Sequence, residues 1–337
     1  MDKREFNRLA EEIRQLLDAA SNVLLVSHDN CGDAVGSLLA FESVIEGMDK
    51  KAVMHIPSPV LRSYRYLSGW DRIIVDKEKI DLSQFDLIVC LDLGALVKSG
   101  MAERLQPVID QRLVTVVNID HHFTNDDYGH VNLVDRTASA NTEVLYDLLK
   151  VWNIPITQDI GLCLYNGLVS DTGNFTNNGV TAKALSLAAA LSSQGISHQQ
   201  VVRESFQGTS DLEKLKLWGR ILSKLFVDQE QGLLVAVATL EEAGEGKERI
   251  REDLDSLSNF LSFHLDYDSM YLKGVLVLKD LGNGFVKGSL RTVKDDVDVS
   301  AIAKLFPNGG GHKKAAGFMA PGRLTVAKNN EWSIVSV

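Results

Sequence analysis

The chain has 337 residues, of which 45% are hydrophobic and 24% are charged, and its formal net charge at pH 7 is −10. That length is sufficient for two domains with separate cores, and the composition is ordinary for a globular protein. The acidic balance argues against a protein that coats long duplex DNA, because sequence-independent binding to phosphates depends on an excess of Lys and Arg.

The apolar segments and the cysteines indicate the cellular compartment of the protein. No apolar run reaches the roughly 18 residues that span a bilayer, and the start of the chain, Met1–Glu5, lacks the apolar core of a signal peptide. We therefore expect a cytoplasmic protein that does not enter a membrane. Cys31, Cys90 and Cys163 have no Cys-x-x-Cys spacing, which favours buried thiols over a disulfide or a zinc site.

Helical and strand patterns alternate along the first part of the chain. Apolar residues recur at helical spacing over 2–20, which predicts an amphipathic helix. Several short apolar runs do not alternate with polar residues, and this is typical of strands in a parallel sheet covered by helices on both faces. We predict strands at 22–27, 85–91, 113–117 and 162–169, and helices at 36–46, 139–151 and 180–191.

All four predicted strands lead into residues that bind metals or transfer protons. His28 follows the first strand, Asp92 the second, Asp120-His121-His122 the third and Asp171 the fourth. In an open α/β sheet, ligands bind at the carboxyl edge of the strands. One carboxylate at such a place is an ordinary helix cap, but four strand ends with only Asp and His indicate a hydrolytic site. Oxygen and imidazole ligands suit Mn²⁺, Mg²⁺ or Zn²⁺.

The sequence changes character after Leu191. Ser192-Ser193-Gln194-Gly195 predicts the end of a helix, and a connecting segment over 192–226 with a long helix near 211–226 follows. These features divide the chain into a domain over 1–191 and a second domain over 227–337. In the second domain we predict strands at 233–239, 272–278 and 284–290, a hairpin turn at 280–283 and a helix at 298–305. The predicted fold is α/β, with a parallel-sheet N-terminal domain that has helices on both faces, and a smaller α/β C-terminal domain with a mixed sheet.

A glycine run near the C-terminus, Gly309-Gly310-Gly311-His312, predicts an anion site. Successive glycines let backbone amides approach a phosphate closely, and a helix that begins near Lys313 would add its positive end. A flexible loop is the alternative. Lysines and arginines are frequent in the same part of the chain, where most of them fit a solvated surface.

Taken in order, these motifs resemble those of the DHH phosphoesterase superfamily. Asp120-His121-His122, Gly32–Ser37, Asp92 and Ser170–Gly173 are similar to its four motifs, and Gly309–Phe318 is similar to the signature of the DHH-associated C-terminal domain. The resemblance covers nearly the whole chain. Within the superfamily, the chain is most similar to the stand-alone nanoRNase/pAp-phosphatase branch.

The resemblance implies a role for each motif. Two divalent ions, expected to be Mn²⁺ with Mg²⁺ as an alternative, would be bound by His28, Asp33, Asp92, His121 and Asp171, with Asp92 shared. His122 would act on the departing phosphoryl group as a donor or an electrostatic stabiliser, and Asp120 would orient the imidazoles. The rest of the nucleotide would be bound by Arg291, Gly309, Gly310, Gly311 and His312, with the chemistry in a cleft between the domains.

The implied function is a two-metal phosphodiesterase that degrades very short RNA to mononucleotides and also dephosphorylates pAp. Two alternatives stay open: a hydrolase of cyclic or linear dinucleotides, and a nucleotide-binding protein that has lost the chemistry. An inorganic pyrophosphatase is disfavoured by the glycine-rich second domain. The oligomeric state is left open, a homodimer included.

One motif departs from the family pattern. The family sequence is His-x-Asn-Pro-Asp-Gly-Asp-Ala, whereas His28-Asp29-Asn30-Cys31-Gly32-Asp33-Ala34 is one residue shorter and lacks the first aspartate. Either a deletion keeps His28 as a ligand, or Ser27 and Cys31 take the places of the histidine and the aspartate. In both cases one metal position loses a ligand, and we expect weaker metal binding there and impaired activity. Asp29 could substitute, and so could the Cys31 thiolate with a softer metal such as Zn²⁺.

Overall fold

The computed structural model describes residues 1–28, 31–177, 179–207, 212–240, 254, 257–306, 309–326 and 332–335. Two compact units make up the chain, Met1–Gly208 and Thr209–Val337. The division lies inside the predicted connecting segment 192–226. Within the described ranges, no helix has the length and apolar character that crossing a membrane requires.

The first unit is built on a five-stranded parallel sheet. Its strands are β1 Asn22–Val26, β2 Lys51–His55, β3 Leu87–Leu91, β4 Thr115–Asp120 and β5 Val131–Val134. The spatial order is β2-β1-β3-β4-β5, and every neighbouring pair is parallel. The chain thus leaves β1 to one side for β2 and later returns to its other side for β3. Sheets of this kind bind ligands at such a reversal of strand order.

Helices cover both faces of this sheet. They are α1 Lys3–Ala19, α2 Gly32–Glu46, α3 Ala102–Asp110, α4 Asn141–Val151, α5 Gln158–Asp171, α6 Ala182–Ser193 and α7 His198–Val202. Leu25 of β1 belongs to one buried cluster with residues of α2, α4 and α5, whereas its neighbour Leu24 belongs to a second cluster with Leu105 of α3. Successive residues of a strand point to opposite faces, so the predicted sheet with helices on both faces is confirmed.

The prediction of a strand at 162–169 is wrong, because this run lies within helix α5. The helix begins after Thr157, whose hydroxyl accepts a hydrogen bond from the Ile160 amide. Most of the helix is buried, and it is apolar on nearly all sides for that reason. A short apolar run of this kind has no periodicity that separates a buried strand from a buried helix. Asp171 therefore ends a helix, not a strand.

Glycines allow α5 to lie directly against α2. A Cβ atom at Gly36 of α2 would lie 2.5 Å from the Cys163 carbonyl oxygen, and one at Gly167 of α5 would lie 2.5 Å from Asp33 Oδ1. Real Cβ atoms do not come this close, so larger side chains would force the two helices apart. This close contact brings Asp171, at the end of α5, towards Asp33 near the start of α2.

The second unit contains a six-stranded mixed sheet. Its strands are β6 Phe226–Asp228, β7 Leu233–Ala238, β8 Gly274–Asp280, β9 Phe285–Arg291, β10 Gly310–His312 and β11 Ala315–Pro321, in the order β10-β11-β9-β8-β7-β6. Only β7 and β8 pair in parallel among these described strands. A separate two-stranded sheet pairs β12 Arg323–Val326 with β13 Trp332–Val335 in antiparallel orientation. The mixed sheet is as predicted, including the β8–β9 hairpin.

Among the described residues of this unit, three helices pack on the sheet. They are α8 Leu212–Leu222, α9 Leu257–His264 and α10 Val299–Ala303. Helices α8 and α9 share a buried cluster with Leu234 and Val275, and α10 shares another with Leu276 and Val235. The two clusters lie on opposite faces of the strands, because adjacent strand residues alternate between them.

A further correction concerns the segment after the glycine run, which forms strand β11 and not a helix near Lys313. Alternate residues Ala316, Phe318 and Ala320 are buried, which is the period of a strand. The glycine run itself enters β10, which pairs with β11. The expected positive end of a helix is therefore not available to an anion at this place.

We expect Gly36→Ala to destabilise the protein by about 1–3 kcal/mol, because the added methyl group must push α5 away from α2. Urea unfolding measures this change. Gly219→Ala is the matched control, since Gly219 also lies in a helix but has open space around its Cβ position. The control should gain about 0.5–1 kcal/mol. Equal unfolding free energies for the two variants would contradict the proposed tight packing.

Candidate metal centre

Three neighbouring strands bring ligating residues to one edge of the first sheet. His28 lies two residues beyond β1, Asp92 follows β3 directly, and Asp120 is the last residue of β4. The strand pairing sets Val26 opposite Cys90 and Leu91 opposite Ile119. The residues that follow these pairs consequently lie beside one another at the carboxyl edge.

Three carboxylates lie close to one nitrogen of His121. Its Nε2 atom lies 3.1 Å from Asp171 Oδ2, 3.5 Å from Asp92 Oδ1 and 3.9 Å from Asp33 Oδ2. Ligand atoms of Asp33, His121 and Asp171 all lie within 4.8 Å of one another. An imidazole nitrogen and carboxylate oxygens that converge in this way match the donor set of a divalent cation such as Mn²⁺ or Zn²⁺.

A second group of ligating atoms comes from His28, Cys31 and Asp92, again within 4.8 Å of one another. His28 Nε2 lies 3.2 Å from Asp92 Oδ2, and the Cys31 thiol donates to Asp171 Oδ1 at 3.6 Å. Ser27 is buried, and its hydroxyl donates to the Leu91 carbonyl at 2.6 Å. Of the two interpretations of the shortened motif, this geometry favours the one with His28 at the site. Asp29 lies outside the described residues.

Asp92 is common to two ligand groups of the described residues, the one with His28 and Cys31 and a third one that it forms with Asp120, His121 and His122. Its φ angle of +52° is in the left-handed region, where Asp is tolerated better than most residues. The side chain is 2% exposed, and its Oδ1 atom accepts no hydrogen bond from the described residues. A buried oxygen without a donor costs free energy unless a cation or another group compensates it. The residues thus fit a divalent metal, and this buried oxygen supports the fit independently of how many ligating side chains converge here.

The two imidazoles of the Asp-His-His triplet are held through their Nδ1 sides. Asp120 Oδ1 accepts from His122 Nδ1 at 2.7 Å and from the His121 amide at 2.8 Å. His121 Nδ1 lies 3.3 Å from the Ala138 carbonyl oxygen. A proton on Nδ1 satisfies both contacts, and this tautomer directs Nε2 of each ring towards a metal or substrate. Asp120 is therefore placed to orient the residues of the triplet that follow it.

The charges of the cluster strongly perturb each other. Burial raises the pKa of Asp33 well above its usual range, and Asp92 and Asp171 add to the effect. Burial acts on Asp92 in the same direction, but contacts with His121 and His28 outweigh it and lower the pKa of that carboxyl group. Burial disfavours protonated His121, yet Asp171 and Asp92 raise its pKa well above normal. A cation in this place would balance the excess negative charge.

Several contacts that support the site were not predicted from the sequence. The Asn125 amide donates to Asp120 Oδ2, the Thr142 backbone amide donates to Asp33 Oδ1 at 3.0 Å, and the Asn166 amide donates to the Gly32 carbonyl at 2.8 Å. Asn125 lies three residues beyond His122, and this closeness in sequence was the only feature that could have linked any of these three donors to the site. The other two donors lie on α4 and α5, which only the tertiary fold brings to the site.

The predicted substrate residues of the second unit gather at one end of its sheet. Arg291 is the last residue of β9 and pairs with Ala315, which in turn pairs with His312. Arg291 Nε donates to Asn259 Oδ1 at 2.7 Å. Gly309 packs against the Ala303 carbonyl, where a Cβ atom would clash, and Gly311 has a φ of +140°. Packing and backbone conformation thus explain why Gly309 and Gly311 are glycines, while the space around Gly310 is open.

Comparison with known proteins confirms the family resemblance. Residues 22–168 match the DHH family, N-terminal domain. The bifunctional oligoribonuclease and PAP phosphatase NrnA of Thermus thermophilus is 29% identical over 315 residues, which cover 92% of this chain and 87% of that protein. The protein of the same name from Bacillus subtilis is 27% identical over 174 residues, covering 49% of this chain and 55% of that protein.

Solved structures show the same fold. An exopolyphosphatase-related protein from Bacteroides fragilis superposes with a TM-score of 0.79 at 24% identity, over 92% of this chain and 90% of that one. RecJ of Thermus thermophilus in complex with Mn²⁺ superposes with a TM-score of 0.51 at 15% identity, over 94% of this chain and 52% of that one. The two-unit α/β architecture is therefore shared with proteins of distant sequence.

We expect Asp92→Asn to weaken the binding of Mn²⁺ at least about tenfold, because it removes the charge common to two ligand groups. The fold should persist, since Asn also tolerates the left-handed backbone of this position. Calorimetric titration with Mn²⁺ measures the affinity, and circular dichroism checks the fold. Asp86→Asn, at an exposed carboxylate, is the control and should bind Mn²⁺ as the unmodified chain does. Unchanged affinity in Asp92→Asn would exclude Asp92 as a ligand.

Proposed function

We propose that this chain, whose residues 22–168 form a DHH family N-terminal domain, is a metal-dependent phosphodiesterase that degrades very short RNA to mononucleotides and dephosphorylates pAp. The observation that carries the proposal is the convergence of three carboxylates on His121 at the carboxyl edge of the sheet. The relative from Thermus thermophilus, named an oligoribonuclease and PAP phosphatase, supports this substrate class over 92% of the chain.

We infer that two divalent ions bind at this edge, with Mn²⁺ the expected metal and Mg²⁺ the alternative. One would be held by Asp33, His121 and Asp171, and the other by His28 and its neighbours. Asp92 would serve both, since its Oδ1 atom lies 3.5 Å from His121 Nε2 and its Oδ2 atom 3.2 Å from His28 Nε2. When bound, such ions supply a nucleophile at neutral pH and stabilise the charge on phosphoryl oxygens. The donor set of carboxylate oxygens and imidazole nitrogens supports this choice of metals.

His122 and Asp120 form the catalytic pair of this proposal. The Asp120 carboxylate fixes the ring of His122 through Nδ1, so that Nε2 has a defined direction. From there His122 would donate a hydrogen bond to a phosphoryl oxygen or to the departing oxygen. Asn125 holds the other oxygen of Asp120, which keeps the carboxylate from turning away.

The second unit would bind the remainder of the nucleotide through Arg291 and His312. Both belong to one row of paired residues across β9, β11 and β10, with Ala315 between them. Directly paired residues have Cβ atoms about 5 Å apart, so the two side chains stand about 10 Å from each other on the same face. The small Ala315 leaves room between them for a phosphate. The amides near Gly310 complete this proposed anion site.

With Mn²⁺ present, we expect the protein to release mononucleotides from RNA dinucleotides and very short RNA much faster than from long RNA. The reason is that a site with a few charge-assisted contacts compensates only a few phosphates, whereas the remaining phosphates of a long RNA are repelled by a chain with a net charge of −10. His122→Ala is the control and should lower kcat by about 10²–10⁴, the usual contribution of such a group. Chromatography of the products measures the rates. Equal rates on long and short RNA would contradict the proposal.

The cytoplasmic location of the protein stays a prediction.

Removal of the basic groups in the second unit should affect binding more than chemistry. We expect Arg291→Ala and His312→Ala each to raise KM about tenfold or more with little change in kcat, since a charge-assisted hydrogen bond contributes about 1.5–3 kcal/mol. Lys224→Ala removes an exposed basic group two residues before β6, at the opposite edge of the sheet from β10, and is the matched control. Wild-type kinetics in both test variants would show that the second unit does not bind the substrate through these residues.

A further inference from the structure

The shortened motif places a thiol where the family has a carboxylate. One ligand atom from each of His28, Cys31 and Asp92 lies within 4.8 Å of the others. Cys31 is also the N-cap of α2, where its sulfur accepts a hydrogen bond from the Asp33 amide at 3.4 Å. The one-residue deletion therefore keeps a side chain directed at the site, and only its chemistry differs from that of the missing aspartate.

A second observation points to a cation beside this thiol. Asp92, which belongs to the same group, is almost fully buried, and its Oδ2 atom lies 3.2 Å from His28 Nε2, so this oxygen is directed at the group. Its other oxygen, Oδ1, lies on the side of His121, 3.5 Å from Nε2 of that ring. An imidazole, a thiol and a nearly buried carboxylate whose ligand atoms converge within 4.8 Å together make the donor set of a divalent cation.

We propose that Cys31 binds the ion next to His28 as a thiolate, so that this position takes a thiophilic cation such as Zn²⁺ while its neighbour keeps hard ligands. The inference rests on the proposed function, since it concerns one of the two metals of that site. Thiolate and imidazole ligands favour Zn²⁺ and Co²⁺, whereas carboxylates suit Mn²⁺ and Mg²⁺. Asp33, His121 and Asp171 form the neighbouring group without a sulfur ligand.

Binding of the ion exchanges the thiol proton of Cys31 for the metal. The S–H bond of Cys31 breaks, a sulfur–metal bond forms, and the proton leaves to solvent. Burial and the neighbouring carboxylates raise the pKa of the Cys31 thiol, so the ion itself has to displace the proton. The Asp33 amide, which donates to the sulfur at 3.4 Å, would keep this contact in the complex. A thiolate has the same charge as the aspartate it replaces. The position therefore retains its charge and changes its metal preference, in place of the impairment expected from the motif alone.

The other cysteines provide an internal comparison. Cys90 and Cys163 are buried in the apolar clusters of the first unit, and neither belongs to a ligand group of the described residues. They match the buried thiols predicted from the sequence. Cys31 alone among the cysteines lies beside carboxylates and imidazoles.

Co²⁺ is a direct probe, because thiolate ligation produces a near-ultraviolet charge-transfer absorption that oxygen and nitrogen ligands do not. We expect this absorption on titrating the intact protein with Co²⁺, and its loss in Cys31→Asp and Cys31→Ser. Both variants retain an N-cap for α2, so the fold should be kept. Cys163→Ala is the thiol control and should keep the absorption. Its absence from the intact protein, or its persistence without Cys31, would overturn the inference.

Metal competition gives a second readout. Cys31→Asp should shift the ratio of Zn²⁺ to Mn²⁺ affinity towards Mn²⁺ at least about tenfold, as measured by calorimetric titration. An unchanged ratio would also overturn the inference. Hydrolysis of short RNA without the charge-transfer absorption would reject the thiolate ligand but leave the proposed function standing. The absorption without hydrolysis by any metal-loaded form would reject the function and leave the ligand assignment standing.

Discussion

The concentration of buried negative charge around His121 is the constraint on which the rest of the first unit depends. Asp33, Asp92 and Asp171 approach one imidazole nitrogen to within 3.1–3.9 Å, and at least two of these carboxylates have little contact with solvent. Such groups repel each other, and burial removes the water that would solvate them. The arrangement is therefore stable only if donors and cations surround it. Backbone amides at the start of α4, the two histidines and the inferred metals all serve this one requirement.

The backbone brings these groups together by three separate devices. Parallel strands set His28, Asp92 and Asp120 side by side at the reversal of strand order. A left-handed conformation at Asp92 turns its carboxylate away from the strand direction. Glycines between α2 and α5 then allow a helix end to deliver Asp171 to the same place. Each device is local, yet the site needs all three at once.

Much of this arrangement could be predicted from the sequence, and the failures have physical reasons. The strands, and the position of residues 28, 92 and 120–122 at one edge of the sheet, could be predicted because a polar residue that follows a strand lies at the edge where that strand ends. Asp171 was expected on a strand, because a fully buried helix and a buried strand have the same apolar composition. The Asn166 contact with Gly32 could not be predicted, since it depends on how two helices pack. The thiol of Cys31 was open to several interpretations until its neighbours were known.

The inferred metals would also connect parts of the chain that are far apart in sequence. The ligand groups join the start of α2, the ends of β3 and β4, and the end of α5. A cation that binds all of them only in the folded state acts as a reversible cross-link, which closes a loop of more than half the unit. Its contribution grows with the logarithm of the free metal concentration. The melting temperature of this protein then depends on the free metal concentration of the buffer as well as on the chain. A chelator would lower it, as a denaturant does.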